Sequence, residues 1–177
     1  MSSLGPEWAR GSDGVRTRDA ARVVVLDEVG RVLLLRGSDP ARAGTDWWFT
    51  VGGGLEPGES ARAAAVRELR EETGLLVESS QLQGPAWVRT AEFSFLGEAC
   101  RQHEEFFVLR VAANSGAEEV GLDRFGWTEL EWESLSEVRW WVPADLASSG
   151  TEFYPPKLVA LLADLPQVWT GEPRSID

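Results

Sequence analysis

Apolar residues fall in short runs along the first half of the chain, and turn residues separate the runs. Ala21 to Leu26 is β-branched, and Val32 to Leu35 is a second apolar run. Asp27-Glu28-Val29-Gly30 lies between them, so the pair predicts a hairpin. Trp47 to Val51 predicts a short strand that enters a glycine turn at Gly52 to Gly54. Ser60 to Thr73 is expected to be helical. Ser60 suits its N-cap, and Gly74 suits a left-handed C-terminus. Trp87 to Phe95 and Glu105 to Ala112 predict a second antiparallel pair, and the polar stretch Asn114 to Leu130 a loop. Val138 to Val142 predicts a last strand, with a short helix from Pro143 and a closing helix over Pro156 to Leu165. Residues 1–19 are polar and read as a flexible arm, leaving residues 20–170 as a single domain.

Composition changes this picture little. The 177 residues are 43% apolar and 26% charged, ordinary for one globular domain. Cys100 is the one cysteine, which excludes an intramolecular disulfide and a cysteine-rich zinc site. A cytoplasmic setting fits that usage. No secretory signal is expected in the first twenty residues, and Leu158 to Ala163 is too short to span a bilayer.

Charge changes it more. The formal charge of −12 argues against a nucleic-acid polymer or an anionic membrane as partner. A phosphate-ester substrate would need a bound cation and local arginines to hold it. The nine tryptophans, with pairs at Trp47-Trp48 and Trp140-Trp141, divide between core packing and a stacking platform for a base.

The chemistry concentrates in residues 53–75, GGLEPGESARAAAVRELREETGL. With Glu68 at the origin of the expected helix, Glu71 falls at about −60° and Glu72 at about 40°, on one face. Ala61, Ala64 and Ala65 share that side and would let the glycine segment approach closely, whereas Val66 and Leu69 point to the core. Like charges at these spacings cost an isolated helix about 0.2–0.5 kcal/mol per pair. A divalent cation removes the conflict, and all-oxygen ligands suit Mg²⁺ or Mn²⁺. Arg67 stands beside the patch and can pair with Glu59 or Glu71. A solvated acidic helix face is the simplest reading of Glu71-Glu72 alone, but nine specified positions with glycines near both ends outweigh it.

The spacing Gly53-x5-Glu59-x7-Arg67-Glu68-Leu69-x-Glu71-Glu72-x-Gly74-Leu75 resembles, at every specified position, the signature of Nudix hydrolases. That superfamily cleaves nucleoside diphosphates linked to another moiety. The resemblance implies an α/β fold, an α/β/α sandwich with a mixed β-sheet. It implies that Glu68, Glu71 and Glu72 bind Mg²⁺ or Mn²⁺, with the Gly52 carbonyl as a further ligand. It also implies that Arg67 and Glu59 orient the helix and that Gly53, Gly58 and Gly74 shape the loops.

The implied reaction is attack of water on one phosphorus of a pyrophosphate, and a base must accept the water's proton. That base is a glutamate of the helix or of a later segment. Glu105 is preferred to Glu137 among later candidates; Glu104 and Glu105 alternate on their strand, so only one can face the site. His103 reads better as a surface residue. Trp48 or Phe49 could stack on a base, and Arg89, Arg101 or Arg110 could meet phosphates, against core packing and solvation respectively. Subfamily markers do not choose the substrate. Pro85 lies only ten residues beyond Leu75, short of the position seen in ADP-ribose pyrophosphatases, and Phe93 stands where dinucleoside polyphosphate hydrolases tend to carry a tyrosine. A pyrophosphohydrolase acting on a small nucleotide-type substrate is the first reading, with a homodimer admissible. The alternatives are a non-catalytic nucleotide-sensing module and a non-hydrolytic isomerase-type relative.

Overall fold

The hairpin predicted around Asp27–Gly30 forms, and its opening organises the sheet. The computed structural model describes residues 4–112 and 127–177. Strand β1 is Ala9–Arg10, β2 is Arg16–Leu26, β3 is Val32–Ser38 and β4 is Asp46–Gly54. Helix α1 (Ala61–Thr73) follows, then β5 (Gln83–Phe95) and β6 (Glu98–Arg110). The last part holds α2 (Glu129–Ser134), β7 (Leu135–Trp141), α3 (Pro143–Ser148), β8 (Phe153–Tyr154), α4 (Leu158–Ala163) and β9 (Arg174–Ser175). Direct pairing of β2 with β3 is confined to Val25 with Leu33 and Leu26 with Val32. Beyond that, β4 takes both partners. Its residues 46–50 pair with Leu34–Ser38 of β3, and its residues 51–54 pair with Ala20–Val23 of β2.

The remaining strands extend the sheet in the order β7-β3-β4-β2-β6-β5-β9. Strand β6 runs parallel to β2 over all of Arg16–Leu26, and β5 returns antiparallel to β6 as expected. The sheet is therefore mixed. One face buries Val23, Val25, Val51, Phe107 and Leu109 against Ala64, Ala65 and Leu69 of α1. The other buries Val24, Trp48, Phe106 and Trp141 against Leu146 of α3 and Leu158 and Leu161 of α4. This is the expected three-layer arrangement. No helix among the described residues is long and apolar enough to cross a membrane.

Two expectations need correction. Residues 1–19 are not simply a loose arm: β2 starts at Arg16, β1 pairs with it, and Trp8 is buried beneath the Arg18 guanidinium at 4.2 Å. The strand start escaped notice because its side chains are polar. Arg16 and Arg18 are matched to Glu98 and Gln102 of β6 instead of to apolar neighbours. Second, Gly52–Gly54 is not a turn but the end of β4, in register with Ala20–Arg22. Elsewhere β5, β6 and β7 begin earlier than expected, and β8 and β9 are additional two-residue strands. The expected loop Asn114–Leu130 lies outside the described residues up to 126; its last two residues open α2.

Candidate active site

Helix α1 has the caps that its sequence suggests. Ser60 Oγ accepts from the Ala63 N–H, and Gly74, at φ 72°, donates its N–H to the Arg70 carbonyl. These fix the ends of a helix whose buried residues include Glu68 and Glu72 as well as Ala64, Ala65 and Leu69. The acidic face is thus pressed against β4 and not turned to solvent. Glycine makes the approach possible. A Cβ on Gly53 would stand 2.5 Å from Glu68 Oε1, and one on Gly52, whose φ is 132°, would stand 2.1 Å from the Ala21 carbonyl oxygen. Gly53→Ala is expected to push the Glu68 carboxylate aside and raise the half-saturating concentration of activating metal by about tenfold, comparable to losing a ligand-orienting group. A metal titration of activity checks this.

Arg67 organises the patch. Its Nε and Nη2 donate to both oxygens of Glu59 at 3.0 and 2.9 Å, and Nη2 also donates to the Gly54 carbonyl at 2.9 Å. Its Nη1 donates to Glu68 at 2.9 Å and Glu71 at 3.0 Å. Glu59 is held below the usual carboxylate range by Arg67, while its neighbours drive the Arg67 guanidinium still further toward its charged form. The Glu59–Arg67 pairing expected from the sequence is present. Gly58 serves the preceding turn at φ 78°.

Glu68 and Glu72 behave differently. Burial pushes the Glu68 carboxyl up to about 7, against the opposing pull of Arg67. Burial and then the nearby Glu68 push Glu72 well above the usual range, although the Gly52 N–H donates to Glu72 Oε2 at 2.8 Å. The third member of the group comes from α2. One carboxylate oxygen each from Glu68, Glu72 and Glu131 lie within 4.8 Å of one another. Three converging carboxylates, two of them buried and resisting ionisation, form a donor set of hard oxygens that fits a divalent cation such as Mg²⁺ or Mn²⁺.

Glu131 is the residue that sequence reasoning missed. Its one local signal is the box Thr128-x-x-Glu131, in which Thr128 caps α2 and Glu131 bonds back to the Thr128 N–H. Helix α2 is docked on α1 through Trp127, whose Nε1 donates to the Glu71 carbonyl at 3.2 Å.

The other expected residues are placed as follows. Glu71 is 38% exposed at the side chain, keeps one oxygen on Arg67, and is not part of the close trio. The Gly52 carbonyl accepts from Arg22. Glu105 opens into a separate groove of about 360 Å³, shared with Asp19, Leu55, Ala61, Thr90 and His103. The His103 ring, itself exposed, lies 3.0 Å from Thr90 Oγ1. Glu137 lies on β7, 3.7 Å from Arg36, and is half-exposed. Neither Glu105 nor Glu137 joins the carboxylate trio. Trp48 is core, edge-on to Trp141 at 5.2 Å. Phe49 lies beneath Arg22 at 5.3 Å, and Arg89 is paired with Glu104 at 3.3 Å. Arg101 is paired with Glu92 and Asp13, and Arg110 with the carbonyls of Pro166 and Gln167.

Comparison with known proteins gives the family and the fold. The model of the NUDIX domain matches residues 16–162. An RNA pyrophosphohydrolase of Halorhodospira halophila is 32% identical over 141 residues, covering 76% of this chain and 72% of that one. The uncharacterized Nudix hydrolase YvcI of Bacillus subtilis is 45% identical over 60 residues, but this match covers only 34% of this chain and 35% of that protein. A crystal structure of a C. elegans Ap4A hydrolase binary complex shares the fold, with a TM-score of 0.55 and 21% identity over 84% of this chain and 99% of that one. With its signature running from the end of β4 through α1 and the family model matched over residues 16–162, the chain belongs to the NUDIX domain family.

Proposed function

We propose that this protein is a Nudix-type pyrophosphohydrolase that cleaves a pyrophosphate bond in a nucleoside diphosphate linked to another moiety. The observation that carries the reading is the trio Glu68, Glu72 and Glu131, with oxygens within 4.8 Å. These residues would hold Mg²⁺ or Mn²⁺, with Glu71 and the Gly52 carbonyl at the margin of the site. Such a cation, when bound, neutralises phosphate oxygens and lowers the pKa of a coordinated water. The protein's own part is orientation. Arg67 fixes the directions of Glu59, Glu68 and Glu71, and the Gly52 N–H fixes Glu72. Glu131, held at one oxygen by Thr128, would turn its other oxygen to the cation. Relatives named as RNA pyrophosphohydrolase and, in Escherichia coli, dihydroneopterin triphosphate diphosphatase support a pyrophosphate-bond substrate. The charge of −12 favours a small nucleotide over a polymer. Every carboxylate of the signature is retained, which favours turnover over a sensing role.

The test is phosphate or monophosphate release from nucleoside triphosphates, nucleotide-sugars, dinucleoside polyphosphates and a 5′-triphosphorylated RNA oligonucleotide, each with Mg²⁺, Mn²⁺ or chelator. Metal-dependent cleavage of one class supports the reading and names the substrate. Folded protein that binds metal but cleaves none of them moves the weight to a nucleotide-sensing module. The base is tested separately. Glu105→Gln and Glu137→Gln are each expected to lower kcat by less than about tenfold, which keeps the proton transfer on the signature helix. A loss of about a hundredfold in either variant would make that residue the base.

A further inference from the structure

Gly52 is held through both of the peptide groups that flank its Cα. Its N–H donates to Glu72 Oε2 at 2.8 Å, and its carbonyl accepts from Arg22 Nη1. Arg22 is not part of the signature helix. It lies on β2, directly opposite Gly52 in the register, with its side chain 12% exposed. Its Nε donates to Glu104 Oε1 at 3.1 Å, and Nη1 also reaches the Thr50 carbonyl at 3.4 Å. Glu104, 5% exposed at the side chain, is itself held by the Gln102 amide at 2.7 Å and by Arg89 at 3.3 Å. A planar guanidinium bridging a buried carboxylate and a backbone carbonyl has little freedom to turn.

We propose that Arg22 is a positioning residue for the metal-binding carboxylates: anchored by Glu104, it pins the backbone carbonyls on either side of the Gly52 N–H, so that this N–H keeps Glu72 directed at Glu68 and Glu131. The inference rests on the metal site described above. The path runs from β6 through Arg22 to the end of β4 and then to α1. It explains why a polar pair is retained at the centre of the sheet, where β2 and β6 otherwise present Val23, Val24, Phe106 and Phe107.

Charge and position predict opposite signs. Arg22 is a cation near the carboxylates, so by Coulomb's law alone its removal would tighten binding of a second cation. If Arg22 acts by holding the backbone at Gly52, its removal weakens binding, by about tenfold for an orienting group of this kind. The experiment is Mn²⁺ binding, followed by the electron paramagnetic resonance signal of free Mn²⁺, for the parent, Arg22→Gln and Arg22→Lys. Melting curves establish that each variant is folded. The expected result is a Kd raised about tenfold in Arg22→Gln. Arg22→Lys keeps the charge but not the two-way bridge, and a smaller rise is expected. A folded variant of either kind that binds Mn²⁺ as tightly as the parent, or more tightly, overturns the proposal. If Arg22→Gln does not fold, the lysine variant decides alone. A parent that binds no Mn²⁺ overturns the site reading and this inference with it, whereas a parent that binds normally beside unchanged variants removes the inference only.

Discussion

Glu72→Gln is expected to lower metal-dependent turnover by at least about a thousandfold, about 4 kcal/mol of barrier, while the protein remains folded. The two halves of that expectation have different causes. Glutamine keeps the length of the side chain and its Oε1 can still accept from the Gly52 N–H, now 2.8 Å from Glu72 Oε2. It also removes a buried carboxyl whose ionisation is opposed by burial and by the nearby Glu68. The fold therefore loses nothing, and the metal-free protein should melt no lower than the parent at pH 8. Function loses a carboxylate from a site where, among the described residues, three converge closely. Initial rates with saturating Mn²⁺, together with a melting curve, check both halves. Comparable hydrolysis by variant and parent would sink the assignment of the site.

The second large effect is on stability as a function of pH. The Glu68 carboxyl, raised by burial to about 7 from an ordinary 4.5, holds its proton in the folded state after the unfolded chain has lost it. Between those two values the folded state binds more protons than the unfolded state, so stability falls as pH rises. At about 1.4 kcal/mol per pH unit, the window is worth about 3 kcal/mol for Glu68 alone, and Glu72 acts in the same direction. The contribution is complete below about pH 4.5 and gone above about pH 7. A divalent cation reverses the trend, since it binds the deprotonated carboxylates and only the folded state gathers them. In chelator, the melting temperature should fall across this window relative to Glu68→Gln. With millimolar Mn²⁺, the stabilisation should grow as the pH rises. Parallel melting curves with and without metal, at every pH, would contradict the placement of these carboxylates as a metal site.

The helix was legible in the sequence because its signals are local: Ser60 and Gly74 mark the ends, and Glu68, Glu71 and Glu72 fall within one turn of one another. The hairpin at Asp27–Gly30 and the antiparallel pair of β5 and β6 were legible for the same reason. What the sequence hid is long-range. The parallel pairing of β2 with β6 joins Arg16 to Cys100 and Leu26 to Arg110, and no local pattern announces it. Three successive glycines suggest a turn, yet they end a strand here because Glu68 and the backbone of Ala21 leave no room for a Cβ. The helix wheel put Glu71 and Glu72 on either side of Glu68, on one face. Packing against β4 separated them, burying Glu72 and leaving Glu71 at the rim with Arg67. Glu131 escaped because its role depends on how α2 docks through Trp127, which no spacing encodes.

That docking bears on what a cation would do to the chain as a polymer. Glu72 and Glu131 are separated in sequence by the whole of β5 and β6, yet their oxygens meet. An ion shared between them is a reversible crosslink that closes a long loop, and the entropy cost of such closure grows only slowly with loop length. The tryptophan at the foot of α2 has already met part of that cost, because Trp127 holds the two helices in contact before any ion arrives. The affinity of such a site would thus depend in part on an indole hydrogen bond to a backbone carbonyl, and an ion bound there would tie α2 more firmly to α1.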